Sequence, residues 1–315
     1  MAAGLLAMPW ALRAQPSAAW PTKPIDIVVP SAAGGAADFV GRAFGQFLTA
    51  SLPGARVVVD DKPGAGGVLG TQFVKAAPAD GYTFLISTNS THAANVSLYR
   101  NLRYDPIKDF ALIGSFGTFA SVLVGRADAP YRTTAEFIEY ARAHPGKLNY
   151  GYYSSSSRVP AELFRSMGKL DFVGASYKAI TQVLTDLIAG QLDFVFIDTL
   201  SAAPALQNTR LRALAVTGPR PLPNLPGVPP VAAGLPGYEV LGWFGLTAPA
   251  GTLAAAVEQM SRMVAGAVDN PAFRQSMEQL GITPRAVVGA EFERFVRQEI
   301  TRWADWIRLA GIEAQ

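Results

Sequence analysis

The chain reads as an α/β protein of two lobes, with mostly parallel sheets flanked by helices, and three observations point there. Short apolar runs alternate with amphipathic stretches, the pattern of βα units and a parallel sheet. Loops of nearly side-chain-free residues follow several of those runs. A weak internal echo divides the chain into two α/β halves, joined by connectors near residues 115–125 and 235–248. A chain that crosses twice between two lobes leaves a cleft between them. Open α/β sheets bind ligands at the carboxyl ends of their strands.

Composition bounds the reading. The 315 residues suffice for about two domains. Half are apolar and 16% are charged, below the roughly 25% of an average domain, so the chain can bury a sizeable core. The net charge of +3 comes without a Lys/Arg cluster, which argues against a nucleic-acid partner. With no cysteine, thiol catalysis, disulfides and Cys-based zinc sites are excluded. The two histidines, His92 and His144, lie far apart in sequence, and a zinc site usually needs more. No metal is expected.

The elements follow in order. Residues 1–19 read as a signal peptide: an apolar stretch from Ala2 to Leu12, then small residues suited to cleavage near Ala14 or Ala19. "IDIVV" (Ile25 to Val29) reads as a buried strand. "ADFVGRAFGQFLTASL" then sets Phe39, Val40, Ala43, Phe44, Phe47 and Leu48 on one helical face. "RVVVD" (Arg56 to Asp60) is a second strand, "KPGAGG" a loop into a short helix, and "TFLIST" (Thr83 to Thr88) a third strand. In the middle, "ASVLVG", "KLNYGYY", "DFVGASY", "DFVFID" and "RALAVTG" are strands with helices between them, one opened by a Thr133–Glu136 capping box. Seven prolines in Pro219 to Gly237 make a stiff connector. "YEVLGWFGLTAPAG" is strand-like, with Trp243 and Phe244 as core residues near a crossing. Val257 to Val268 and Glu291 to Leu309 are helical, the latter lined by Phe292, Phe295, Val296, Ile300, Trp303 and Ile307. The expected organisation is lobe 1 from 20 to 120, lobe 2 from 121 to 241, and a return to lobe 1 over 242–315 with the C-terminal helix.

Four loops between predicted strands and helices carry the candidate chemistry: Ser31–Asp38, Gly64–Gly67, Asn89–Thr91 and Ser154–Arg158, two to each half. Each offers backbone N–H groups at a helix N-terminus, which favours anions. The hydroxyls of Ser90, Thr91 and Ser154 to Ser157 add donors, so a carboxylate or small oxyanion suits the set. Each loop alone reads equally as a tight turn. No Gly-x-Gly-x-x-Gly or P-loop spacing occurs, so no nucleotide cofactor is expected. "SSSSR" with Lys178 resembles a Ser–Lys dyad, but no Gly-x-Ser-x-Gly elbow occurs, and serine is a preferred helix cap. Asp198 either meets a polar ligand group or caps the next helix. His92 either faces the cleft or is structural. Arg158 either pairs with a ligand carboxylate or starts a solvated helix.

With these loops located, the chain resembles the Bug-type solute receptors of tripartite tricarboxylate transporters. The resemblance runs from about Trp20 through ordered segments: "WPTKPIDIVVP", "AAGGAAD", "DKPGAGGVLG", "APADGYTFLISTNSTHAANVSLY", "YDPIKDFALIG", "HPGKLNYGYYSSS", "AELFRSMG", "YKAITQVLTDLIAGQLDFVF", "LRALAVTGPRP", "LPGYEVLGWFGLTAPAGT" and "PAFRQSMEQLGITP". It implies a periplasmic two-lobed binding protein that closes like a Venus flytrap, type II-like, with two crossover strands. It further implies a small organic carboxylate ligand and a membrane permease or a sensor kinase as partner. Family ligand positions fall on Ser31, Ala32, Gly34, Gly35, Ala36 and Asp38 of the first loop, and on Ser154, Ser155, Ser156 and Arg158 of the serine loop. Gly66, Asn89, Ser90, Thr91, Tyr177, Lys178 and Asp198 match further lining positions.

Three departures mark the ligand-facing wall. Ser31 stands where the family's first loop carries an aromatic residue. Tyr177-Lys178-Ala179-Ile180 replaces a Tyr-Lys-Gly-Gly loop. Arg158 stands where small residues or His are commoner. One reading is a bulkier or aromatic carboxylate, with Ile180 as an apolar wall. The expected protein is a monomeric, non-enzymatic receptor; the alternatives are a sensor without transport and a small Ser-dependent hydrolase.

Overall fold

The computed structural model describes residues 20–315, so the signal-peptide expectation for residues 1–19 lies outside the described residues. β1 (Ile25–Val29), β2 (Val57–Asp61) and β3 (Thr83–Thr88) pair in parallel in the order β2-β1-β3. Helix α1 (Ala36–Ser51) lies across them. Gly41 and Gly45 let it approach closely: a Cβ on Gly41 would stand 2.9 Å from Val29, and one on Gly45 would stand 3.1 Å from Val57. Val40, Phe44 and Leu48 are fully buried on that face, whereas Phe39, expected beside them, is 45% exposed. Helix α2 (Val68–Lys75) precedes β3, and a wide helical turn over Ser90–Ala94 leads into α3 (Asn95–Leu98).

One strand joins the halves. β4 (Phe110–Arg126) runs 17 residues without a break. Through Ala120 it pairs antiparallel with β9 (Leu241–Pro249), and over Gly114–Phe119 also with β10 (Ile282–Val288). From Ser121 onward it pairs antiparallel with β7 (Phe194–Asp198) and β8 (Leu211–Val216) of the other sheet. That sheet continues in parallel through β5 (Leu148–Tyr152) to β6 (Phe172–Ser176). β9 closes the first sheet against β3, again antiparallel. The two-lobed α/β architecture is as expected, but the sheets are mixed rather than mostly parallel. Each holds a parallel three-stranded half, and the strands that cross between halves must run back against their neighbours.

The remaining helices cover the faces: α4 (Thr134–Ala143), α5 (Ser155–Gly168), α6 (Ile180–Ala189), α7 (Thr199–Ala205), α8 (Ala254–Asp269), α9 (Pro271–Gln279) and α10 (Gly289–Leu309). Thr133 caps α4 by accepting from the Glu136 amide at 3.2 Å. The two lobes have separate cores. One gathers Phe44, Phe84, Phe116 and Leu246, and the other gathers Phe137, Phe164, Phe194 and Phe196. Helix α10 serves both sides: Phe292 and Val296 pack on Trp243, whereas Trp303 and Ile307 join the core of the second lobe. Trp243 and Phe244 are buried at the return crossing, as expected.

Candidate functional site

The site is assembled by hydrogen bonds between strand-end loops. Gly67, with φ +88°, ends the second loop where a Cβ would stand 2.7 Å from Thr91 Cγ2 and 3.3 Å from the Pro30 ring. That contact brings together the start of the first loop, the second loop and the third. The third loop then crosses to the other lobe. Asn89 Nδ2 donates to Ser156 Oγ at 3.0 Å, and the Ser90 and Ser155 hydroxyls lie 2.6 Å apart. Asn89 is 1% exposed, and its Oδ1 accepts from the Trp243 amide at 3.4 Å. Three of the four loops therefore follow strands of the first sheet and one follows a strand of the second, not two and two; Asn89–Thr91 follows β3.

Donors without internal partners point from both sides. The N-cap of α1 is Gly35, which has no side chain to accept from the first turn, so the Ala36 and Ala37 amides remain available. Ser31 Oγ is buried with no hydrogen-bond partner. Asp38, also in this turn, is occupied: its Oδ2 accepts from the Gly34 amide at 2.8 Å and its Oδ1 lies 2.7 Å from Arg42 Nε. Arg42 also reaches Asp61 at 3.0 Å. Burial, and then the nearby Asp38 charge, hold the Asp61 carboxyl above its ordinary value. The backbone of the first loop is thus pinned by its own carboxylate, and that charge is offset by Arg42.

On the second lobe Ser157 folds back over its loop. Its hydroxyl accepts from the Tyr153 and Ser154 amides at 3.0 and 3.1 Å and donates to the Ser154 carbonyl at 2.9 Å. The Ser155 and Ser156 amides, at the first turn of α5, have no intrahelical acceptor. Arg158 is half-buried, lies 5.2 Å from the centre of the Tyr152 ring, and has no acidic partner within 4 Å among the described residues. A guanidinium braced on an aromatic face keeps its hydrogen-bonding edge free.

Other expected positions are placed differently. Asp198 caps α7, accepting from the Ser201 amide at 2.9 Å, and also accepts from Tyr153 OH at 3.1 Å. The capping alternative is therefore realised, one hydrogen bond away from the serine loop. Tyr177 follows β6 beside Tyr152, but its hydroxyl donates to Asp186 at 2.7 Å, and that bond raises its pKa to about 12. Lys178 is exposed and Ile180 opens α6, partly buried on the outer core of the second lobe. None of the three makes a hydrogen bond to the four loops among the described residues. The serine hydroxyls bond to one another, to Asn89 and to Ser90, not to Lys178 or His92. His92 is structural: it is fully buried, its Nδ1 lies 2.9 Å from Thr91 Oγ1, and burial lowers its pKa to about 3. Sequence reasoning missed Tyr104 and Asn95, which support the loops through Thr91 O at 2.7 Å and Gly66 O at 3.1 Å.

The model of the tripartite tricarboxylate transporter family receptor matches residues 44–312. A protein from the tcbD-tcbE intergenic region of Pseudomonas sp. strain P51 is 33% identical, over 92% of this chain and 87% of that protein. Among solved structures, Rpa4515 of R. palustris with adipate superposes with a TM-score of 0.89 at 31% identity, covering 94% of this chain and 100% of that one. MatC of Rhodopseudomonas palustris with bound malate gives 0.81 at 30% identity, covering 91% and 100%.

Proposed function

Because the chain belongs to the tripartite tricarboxylate transporter receptor family, we propose that it captures a small organic carboxylate between its lobes and hands it to a membrane permease of that transporter class. The observation that carries this reading is the pairing of Asn89 and Ser90 with Ser156 and Ser155. It sets unpartnered helix-start amides of α5 beside the loops that open α1 and α2. One carboxylate group takes the free amides of the first turns and Ser31 Oγ, where helix dipoles add to the attraction. Arg158 takes a second anionic group on the ligand. Adipate and malate, bound by the two neighbours, are dianions of the class this arrangement would take. On this reading the protein is exported to the periplasm, works as a monomer without metal or cofactor, and divides into lobes at 120/121 and 241/242. Among the described residues, no helix is long and apolar enough to cross a membrane.

The test is thermal unfolding of the purified protein against malate, adipate, benzoate, neutral adipamide and a cationic diamine. Carboxylates are expected to raise Tm progressively with concentration, as mass action requires, and to be recovered unchanged. Stabilisation by the diamine or adipamide alone, or turnover of any compound, would overturn the receptor reading.

A further inference from the structure

We propose that the first lobe carries a second binding surface, a basic groove that receives an acidic, apolar-anchored segment of a partner protein. The groove encloses about 660 Å³ between the Tyr99–Asp109 segment, the end of α2 and α10. Five cations line it, Lys75, Arg100, Arg103, Lys108 and Arg297, against two carboxylates, Asp105 and Asp109. Lys75 is bound to Asp109 at 2.8 Å and Arg297 to Glu293 at 2.7 Å, whereas Lys108 stands 3.7 Å from Asp105. Arg103 has no acidic partner within 4 Å among the described residues, and its carbonyl is held by Lys75 Nζ at 2.9 Å. The surplus of positive charge calls for acidic groups. Val96, Leu102, Ile107 and Ile300 line the same groove, and Val96 is 39% exposed. They call for an apolar anchor between those acids. An open trench with both features fits a chain segment with alternating acidic and apolar side chains better than a small enclosed ligand.

The wall of this groove is wired to the candidate carboxylate loops. Tyr99 OH donates to the Ala65 carbonyl at 2.9 Å, and Tyr104 OH donates to the Thr91 carbonyl at 2.7 Å. Asn95, one turn before Tyr99, donates to the Gly66 carbonyl at 3.1 Å. A partner pressing on the partly exposed Tyr99 therefore acts directly on the backbone of the second loop, while Tyr104, buried behind the groove wall, links that wall to the third loop. The docking claim stands apart from the carboxylate reading, because it concerns a different surface.

The test uses the full protein and a fluorescent peptide of about 12 residues alternating glutamate and leucine, with glutamate–serine and lysine–leucine peptides as controls. Anisotropy is expected to show binding of the glutamate–leucine peptide only. Affinity should fall roughly tenfold in Arg103→Glu/Lys108→Glu and weaken with added salt. The alanine pair at the same positions should fall between, and serves if the charge reversal misfolds. Hydrogen exchange should show slower amides at Gly66–Val68 and Thr91–His92 when the peptide is bound. Absence of peptide binding, or binding indifferent to both variants, would overturn the proposal. Groove-dependent binding to phosphatidylglycerol vesicles without peptide binding would do the same and assign the surface to a membrane. Unchanged exchange at the two loops would remove the link to the cleft.

Discussion

At the scale of single residues, Arg158 and His92 show how far a side chain's identity decides its role. Both stood open in the sequence. Arg158 comes to rest on Tyr152 without an acidic partner, and His92 comes to rest in full burial against Phe110, with ring centroids 5.0 Å apart. Neither outcome follows from local pattern, because each depends on what the opposite element brings. Arg158→Ala is expected to cost malate and adipate about 1.5–3 kcal/mol of binding, the worth of a charged hydrogen bond, and to cost benzoate far less. Titration calorimetry checks this; equal losses for mono- and dianions would remove Arg158 from the site. For His92 the sign follows from its lowered pKa. The unfolded chain protonates near pH 6.5 and the folded one only near pH 3, so in between the unfolded state binds more protons. Stability from this residue is whole above pH 6.5 and is lost as pH falls toward 3. Urea unfolding at pH 7 and pH 5 should show the wild type losing about 2 kcal/mol more than His92→Gln. An equal acid loss in the two proteins would show that His92 titrates freely in the folded state.

At the scale of elements, what was legible was the short parallel strands, since each is an apolar run bounded by turn residues. β1 and β3 fall on their expected residues, and the other parallel strands fall within one residue of theirs. β4 was legible only over its second part, Ala120 to Gly125, and β10 not at all. Gly114 and Gly117 punctuate β4 as a turn would, yet Gly117 adopts φ +150° where β10 packs so closely on it that a Cβ would collide with the Thr283 carbonyl. β10 holds Pro284 next to a register shift, and proline demotes a run as a central strand. Its partner lies more than a hundred residues earlier, so no local pattern announces it. The serine loop was legible as a helix start, but not that Ser157 does the capping. Ser157→Ala should cost about 1–2 kcal/mol by leaving the Tyr153 and Ser154 amides unpaired. It should also weaken carboxylate binding, because the loop loses its brace. Denaturation and calorimetry on one preparation check both; a loss of stability with unchanged affinity would separate the brace from the site.

At the scale of the whole molecule, the lobes are tied by β4, by α10 and by the cross-lobe bonds of Asn89 and Ser90. The Thr199 hydroxyl, bonded to the Leu280 carbonyl beside β10, adds another tie. A ligand shifts such a pair of lobes only by binding the closed form more tightly than the open one. Small-angle scattering of the isolated protein should give a radius of gyration near ~20 Å, decreasing when a stabilising carboxylate is added. Binding with an unchanged radius would show that the cleft is already shut. The sequence alone determined the α/β class, the family and the positions of the four small-residue loops, because periodicity, turn chemistry and ordered motifs are local properties of the chain. Tertiary structure alone decided which loops share a wall, that Tyr177 is engaged with Asp186 and Lys178 left exposed, and that the sheets are mixed. Those outcomes depend on pairings such as Asn89 with Ser156 and β4 with β10, between segments that meet only once the chain has crossed from one lobe to the other and back.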